Sequence, residues 1–115
     1  MISGITGTLH TRGDNWVEIA LNGITLQVSI PTRFAQELGD IGAHVHLFTQ
    51  LVLKDTEPVL YGFPTTEARR FFQMLTTVSG IGPRTALNLL SARDPQTLAA
   101  AIITGDLESF TGIPG

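Results

Sequence analysis

Val78-Ser79-Gly80-Ile81-Gly82-Pro83-Arg84-Thr85-Ala86 decides the reading of this chain. Apolar residues at helical spacing lie on both sides of it: Ala68, Phe71, Phe72, Leu75 and Val78 before, Ala86, Leu89 and Leu90 after. Glycine takes positive φ without steric cost, so two glycines around one aliphatic residue allow a tight bend between two helices. Pro83 suits the first position of the second helix, where its missing N–H is no loss. Amides ahead of that helix sit at the positive end of its dipole, an arrangement that receives phosphate.

Helix, Gly-aliphatic-Gly bend, helix is the pattern of helix-hairpin-helix modules, which hold the sugar-phosphate backbone without reading bases. The candidate phosphate contacts are the amides of Gly80 and Gly82, the Arg84 side chain, the Thr85 hydroxyl and, with less support, Ser79. Ile81 is expected to anchor the bend in the core. The same residues also fit a helix C-cap glycine followed by an ordinary turn, with Arg84 a solvated surface arginine and Thr85 a helix cap.

Upstream the period changes from helical to two. Val17, Ile19 and Leu21 share one face of a strand; Asn22-Gly23 signals a hairpin; Ile24, Leu26, Val28 and Ile30 alternate with polar residues until Pro31. Residues 45–53 form a longer apolar strand, Lys54 to Pro58 a polar turn, and Val59 to Phe63 the return. With the start of the chain this makes about five short strands, which suggests a small barrel of the OB type. The fold expected is α+β: a five-stranded OB-type barrel over residues 1–63, then a helical helix-hairpin-helix part over 64–115. Thr65 or Thr66 is the expected cap of the first long helix. Asp94-Pro95 opens a third helix that Gly105 ends, and Asp106 caps a short fourth.

Composition narrows the function classes. At 115 residues, 43% hydrophobic and 15% charged, the chain is globular in character. It has no cysteine, so disulfides and thiolate metal sites are excluded, and a cytoplasmic setting is expected. No apolar run reaches the roughly 20 residues of a membrane-spanning helix. Net charge is −3, against a broad basic surface. The barrel half sets Arg12, Arg33 and Lys54 against Asp14, Glu18, Glu37, Asp40, Asp55 and Glu57. The helical half balances Arg69, Arg70, Arg84 and Arg93 against Glu67, Asp94, Asp106 and Glu108. A DNA binder with this balance must rely on a few placed cations and on backbone amides.

Other chemistry finds little support. His44 and His46 alternate on a strand without an acid or cysteine to complete a metal site, and His10 reads as a surface residue. Trp16 and Phe48 are expected to pack in the barrel in preference to stacking on bases. Glu18 and Asp14 lack a partner for acid–base work. No Gly-Lys-Ser or Gly-Lys-Thr is present for nucleotide phosphates. A helix-hairpin-helix glycosylase needs a lysine or aspartate aimed at a flipped nucleotide; no lysine follows the bend, and Asp94 is used as a cap.

In order, the pieces resemble the RuvA family, the junction-binding subunits of the bacterial Holliday junction branch-migration complex. The resemblance rests on the Met-Ile start, Leu60-Tyr61-Gly62-Phe63 before the first long helix, Gly80-Ile81-Gly82-Pro83 with Ala86, and Ile113-Pro114-Gly115, which is similar to the opening of the family's second hairpin. It implies a non-catalytic subunit without a cofactor, acting in recombination, DNA repair and the SOS response. It implies a homotetramer, or two tetramers face to face, on four-way junction DNA, with the RuvB motor and the RuvC resolvase as partners. The family's strand turn carries adjacent acids, the acidic pin, at the centre of that assembly. Here Asp55 matches one acid, Thr56 takes the next position and Glu57 follows, so the expected pin is Asp55 with Glu57. Family members continue past the second hairpin to a RuvB-contacting domain, so this chain is expected to be a fragment or truncated product. The alternative is a barrel that assembles while the helical half binds nothing.

Overall fold

A computed structural model describes residues 2–92. The expected third and fourth helices, with Asp94, Gly105 and Asp106, and the start of a second hairpin at Ile113-Pro114-Gly115, lie outside the described residues.

The described chain runs β1 (Gly4–Arg12), β2 (Trp16–Leu21), β3 (Ile24–Ser29), α1 (Thr32–Glu37), β4 (His44–Lys54), β5 (Glu57–Phe63), α2 (Thr66–Leu75) and α3 (Pro83–Ala92). The five strands close in the order β1-β2-β3-β5-β4, the OB arrangement expected. Antiparallel ladders make four of the five seams; β3 and β5 meet as a parallel pair at Ser29 and Tyr61 alone. At the β2–β3 turn Asn22 and Gly23 both take positive φ, 47° and 85°, as the Asn-Gly pair leads one to expect.

Period two fills the barrel. Ile5, Leu9, Val17, Ile19, Val28, Val45 and Leu47 are all buried. Their outward neighbours Trp16 and Phe48 are half-buried. This corrects the expectation that both aromatics pack inside. Strand alternation turns them out because Val17 and Leu47, next in line, point in. Phe48 takes an edge-on contact from His46 at 4.7 Å between centroids, with the Arg69 guanidinium 5.8 Å from its ring.

β5 is buried on both faces, and Leu60-Tyr61-Gly62-Phe63 shows why. A Cβ on Gly62 would come within 2.5 Å of Val28 Cγ1 and 3.3 Å of Leu47 Cδ1, so Gly62 faces the barrel interior where no side chain fits. Tyr61 and Phe63 face the other way, and both rings meet Phe72 of α2 at 5.0 Å. Barrel and helices thus share one continuous core. Aromatic contacts of this kind add about 0.5–1.5 kcal/mol beyond burial.

α2 begins where a cap permits. The Thr65 Oγ1 accepts from the Ala68 amide at 3.1 Å, and Ala68, Phe72 and Leu75 form the buried stripe. The expected stripe ran on to Val78, but the helix stops at Leu75 and Val78 lies in the bend.

The short helix α1 has no counterpart among the sequence expectations, in which Pro31 ends a strand. Pro31 also starts this helix, its carbonyl accepting from the Phe34 and Ala35 amides. Arg12 of β1 closes the other end, donating to Ala35 O at 3.2 Å and Gly39 O at 2.6 Å. α1 in turn fastens α3. The Thr32 amide donates to Ser91 Oγ at 2.8 Å, and Arg33 Nη2 donates to Leu90 O at 3.0 Å.

Candidate nucleic-acid interface

The bend is built from both sides. On the α2 side, the Thr76, Thr77 and Val78 amides donate to Phe72 O, Met74 O and Leu75 O. The Thr76 and Thr77 hydroxyls donate to Gln73 O and Met74 O, at 2.9 and 2.6 Å. The helix end is thereby satisfied without a cation. Ile81 donates its amide to Val78 O at 3.1 Å and packs its side chain against the core, as expected of the anchor.

The two glycines differ. Gly80 has φ of +87°, a conformation that disfavours any L side chain. Gly82 is not at positive φ, and a Cβ on either residue would meet nothing within 4 Å. The first helical hydrogen bond runs from the Ala86 amide to Gly82 O at 3.0 Å, which makes Gly82 the N-cap of α3. The amides of Gly80, Gly82, Arg84 and Thr85 therefore have no acceptor among the described residues. Ser79, Gly80 and Gly82 are exposed, and Thr85 is half-buried. N–H groups at the start of this ten-residue helix give a concentrated positive field with no formal charge.

Arg84 is exposed at the second position of α3. Its side chain lies on the barrel side of the helix, where it lines an open groove with Gln27 and Ser29 of β3 and Glu57 of β5. Burial raises the Tyr61 phenol above its ordinary 10.0, and the nearby Arg84 charge offsets part of that rise.

The acidic turn divides in two. Asp55 and Thr56 form the tip, with Asp55 in the left-handed region at φ 57°, where aspartate is better tolerated than most residues. Glu57 is the first residue of β5, paired with Lys54, and it lines the groove that holds Arg84. Thus Asp55 sits at the apex and Glu57 at the base. Beside them Leu53 is 74% exposed.

Of the two alternating histidines, His46 hydrogen-bonds Thr6 Oγ1 through Nδ1. No group of three potential metal ligands occurs among the described residues, nor any helix long and apolar enough to cross a membrane.

Sequence reasoning missed the groove. Its walls come from β3, β5 and α3, and no local spacing connects them. It also missed the Thr76-Thr77 hydroxyl pair, for which threonines just past the apolar stripe were the available signal.

Comparison with known proteins agrees with this architecture. Residues 1–62 match the family model described as RuvA N terminal domain, and residues 72–115 match that of a SAM-like helix-hairpin-helix tandem. Relatives that carry the name Holliday junction branch migration complex subunit RuvA include the following three. The Dehalococcoides mccartyi protein is 37% identical over all of this chain and 59% of its own length. That of Roseiflexus sp. is 40% identical over 99% and 58%, and that of Bordetella avium 42% over 100% and 60%. The chain thus spans about three-fifths of the length of these relatives. With a RuvA-type barrel model matching more than half of it and helix-hairpin-helix character after that, this chain belongs to the RuvA family.

Proposed function

We propose that this chain is a non-catalytic, cytoplasmic DNA-binding subunit that recognises four-way junctions and supports RuvB-driven branch migration in recombination and repair. The single observation behind this reading is the set of amides at Gly80, Gly82, Arg84 and Thr85, at the start of α3, that have no acceptor among the described residues. A phosphate there accepts several N–H bonds, and its charge is stabilised by the helix dipole. Arg84 and the Thr85 hydroxyl stand close enough in sequence to add to the same grip, with Ser79 at its rim.

Residues 1–63 serve assembly and residues 64–115 serve DNA. Leu53 is the kind of exposed apolar side chain that a homotetramer, singly or as a face-to-face pair, would cover. One grip is weak and salt-sensitive. Several grips at fixed spacing on one junction multiply, which is how a chain of net charge −3 holds a polyanion. Asp55 at the turn apex acts by repulsion, keeping phosphates from the centre of the junction. ATP hydrolysis belongs to the partner motor.

The test is a salt titration of binding to a synthetic four-way junction and to linear duplex of matched length. Tighter junction binding with a steep salt slope is expected; equal affinity for both removes the structure-selective reading. Arg84→Glu separates this from a barrel that only assembles: junction binding should fall at least tenfold while native mass is unchanged.

A further inference from the structure

The groove between the barrel and the phosphate grip has a simple electrostatic layout. Gln27, Ser29, the start of β5 and Arg84 enclose about 330 Å³. Of the described side chains that line it, two are charged, Arg84 from α3 and Glu57 from β5. No ion pair closes between them among the described residues. The volume holds about ten waters, so the two charges share one solvent-filled groove. The influence of Arg84 on the Tyr61 phenol agrees with a guanidinium folded back toward β5.

We propose that Glu57 is a positioning residue for Arg84: it supplies the counter-charge that keeps the guanidinium in the groove, and a DNA phosphate at Gly80–Gly82 draws Arg84 out by replacing it. This rests on the phosphate-grip reading and changes the role of Glu57 within it. Asp55 alone is the acid of the turn apex; Glu57, at the strand base, acts on the grip. A solvent-separated pair is the right strength for such an exchange. A closed, buried pair would cost too much to open, whereas an attraction through water is comparable to what one phosphate contact replaces.

A double-mutant cycle on the full chain tests this, with a fluorescent immobile four-way junction as probe and anisotropy as readout. Glu57→Gln should tighten binding about two- to fivefold at low salt, the range of a partly screened pair. Raising the salt should shrink the gain. In an Arg84→Gln background Glu57→Gln should have little or no effect, because the group it restrained is gone. Asp55→Asn is the control and should change affinity by the same factor in both backgrounds. An equal gain from Glu57→Gln with and without Arg84, or no gain at all, overturns the proposal, since repulsion from a pin acid does not depend on Arg84. Arg84→Gln without any loss of binding is a different failure. It removes the premise that Arg84 meets phosphate.

Discussion

Gly82→Ala separates the folding role of the bend from its proposed binding role. The added methyl meets nothing within 4 Å, and the residue is not at positive φ, so neither clash nor backbone strain arises. Alanine is a poorer N-cap than glycine by roughly 0.5–1 kcal/mol. It also restricts the unfolded chain, which returns about 0.4–1 kcal/mol. These nearly cancel, so Tm should move by no more than about 3 °C. Binding should respond differently. The methyl fills space that the described residues leave empty, beside amides with no acceptor among those residues, and a phosphate oxygen would then be held off. A hydrogen bond to a charged group contributes about 1.5–3 kcal/mol, so losing one should weaken junction binding by about tenfold or more. Gly80→Ala is the companion, because at φ +87° it costs the fold about 1–2 kcal/mol. Calorimetry with anisotropy on the same samples checks both. If Gly82→Ala binds the junction as tightly as the unmodified chain, the amides do not hold phosphate and the grip is refuted.

Other outcomes follow from particular residues. Asp55→Asn should keep the fold, since asparagine also accepts φ near 57°, and tighten junction binding a fewfold while slowing strand separation; thermal melts and a junction-opening assay read both. Leu53→Asp should leave Tm almost unchanged and shift native mass toward smaller assemblies, because the side chain is 74% exposed in the single chain. Gly7→Ala should destabilise by about 2 kcal/mol or more, since its Cβ would lie 2.5 Å from the Ala20 carbonyl oxygen; urea melts measure this. Tyr61 is the sole tyrosine, so tyrosinate absorbance reports it cleanly. Its folded pKa is raised above 10.0, chiefly by burial. The stability it contributes is therefore full below pH 10 and is lost as pH climbs through the folded value. Arg84→Gln, which removes the opposing charge, should push that titration higher still.

Much of the barrel was legible because its cues are local. Asn22-Gly23 specifies a turn, alternation specifies faces, and Pro64-Thr65-Thr66 marks a helix start. Gly80-Ile81-Gly82-Pro83 was readable for the same reason, since each residue has one strong conformational preference. α1 escaped because six residues give too few turns for a period, and because the group that closes it, Arg12, comes from a distant strand. Trp16 and Phe48 were misplaced because size and hydrophobicity suggested an interior that alternation had already given to their neighbours. The shared groove of Glu57 and Arg84 could not be read at all: it exists only once the barrel and α3 come together.

The moorings of α3 bear on how any bound helix of DNA is held. Ten residues make a rod about 15 Å long, with the amide cluster at one tip and the Ser91 and Leu90 fastenings at the other. A pull at the first tip is passed along the rod to α1, which Arg12 in turn ties to β1 of the barrel. On the proposed function, a strained crossover must therefore yield before its holder does, and the angles between its arms are imposed by the protein as by a jig.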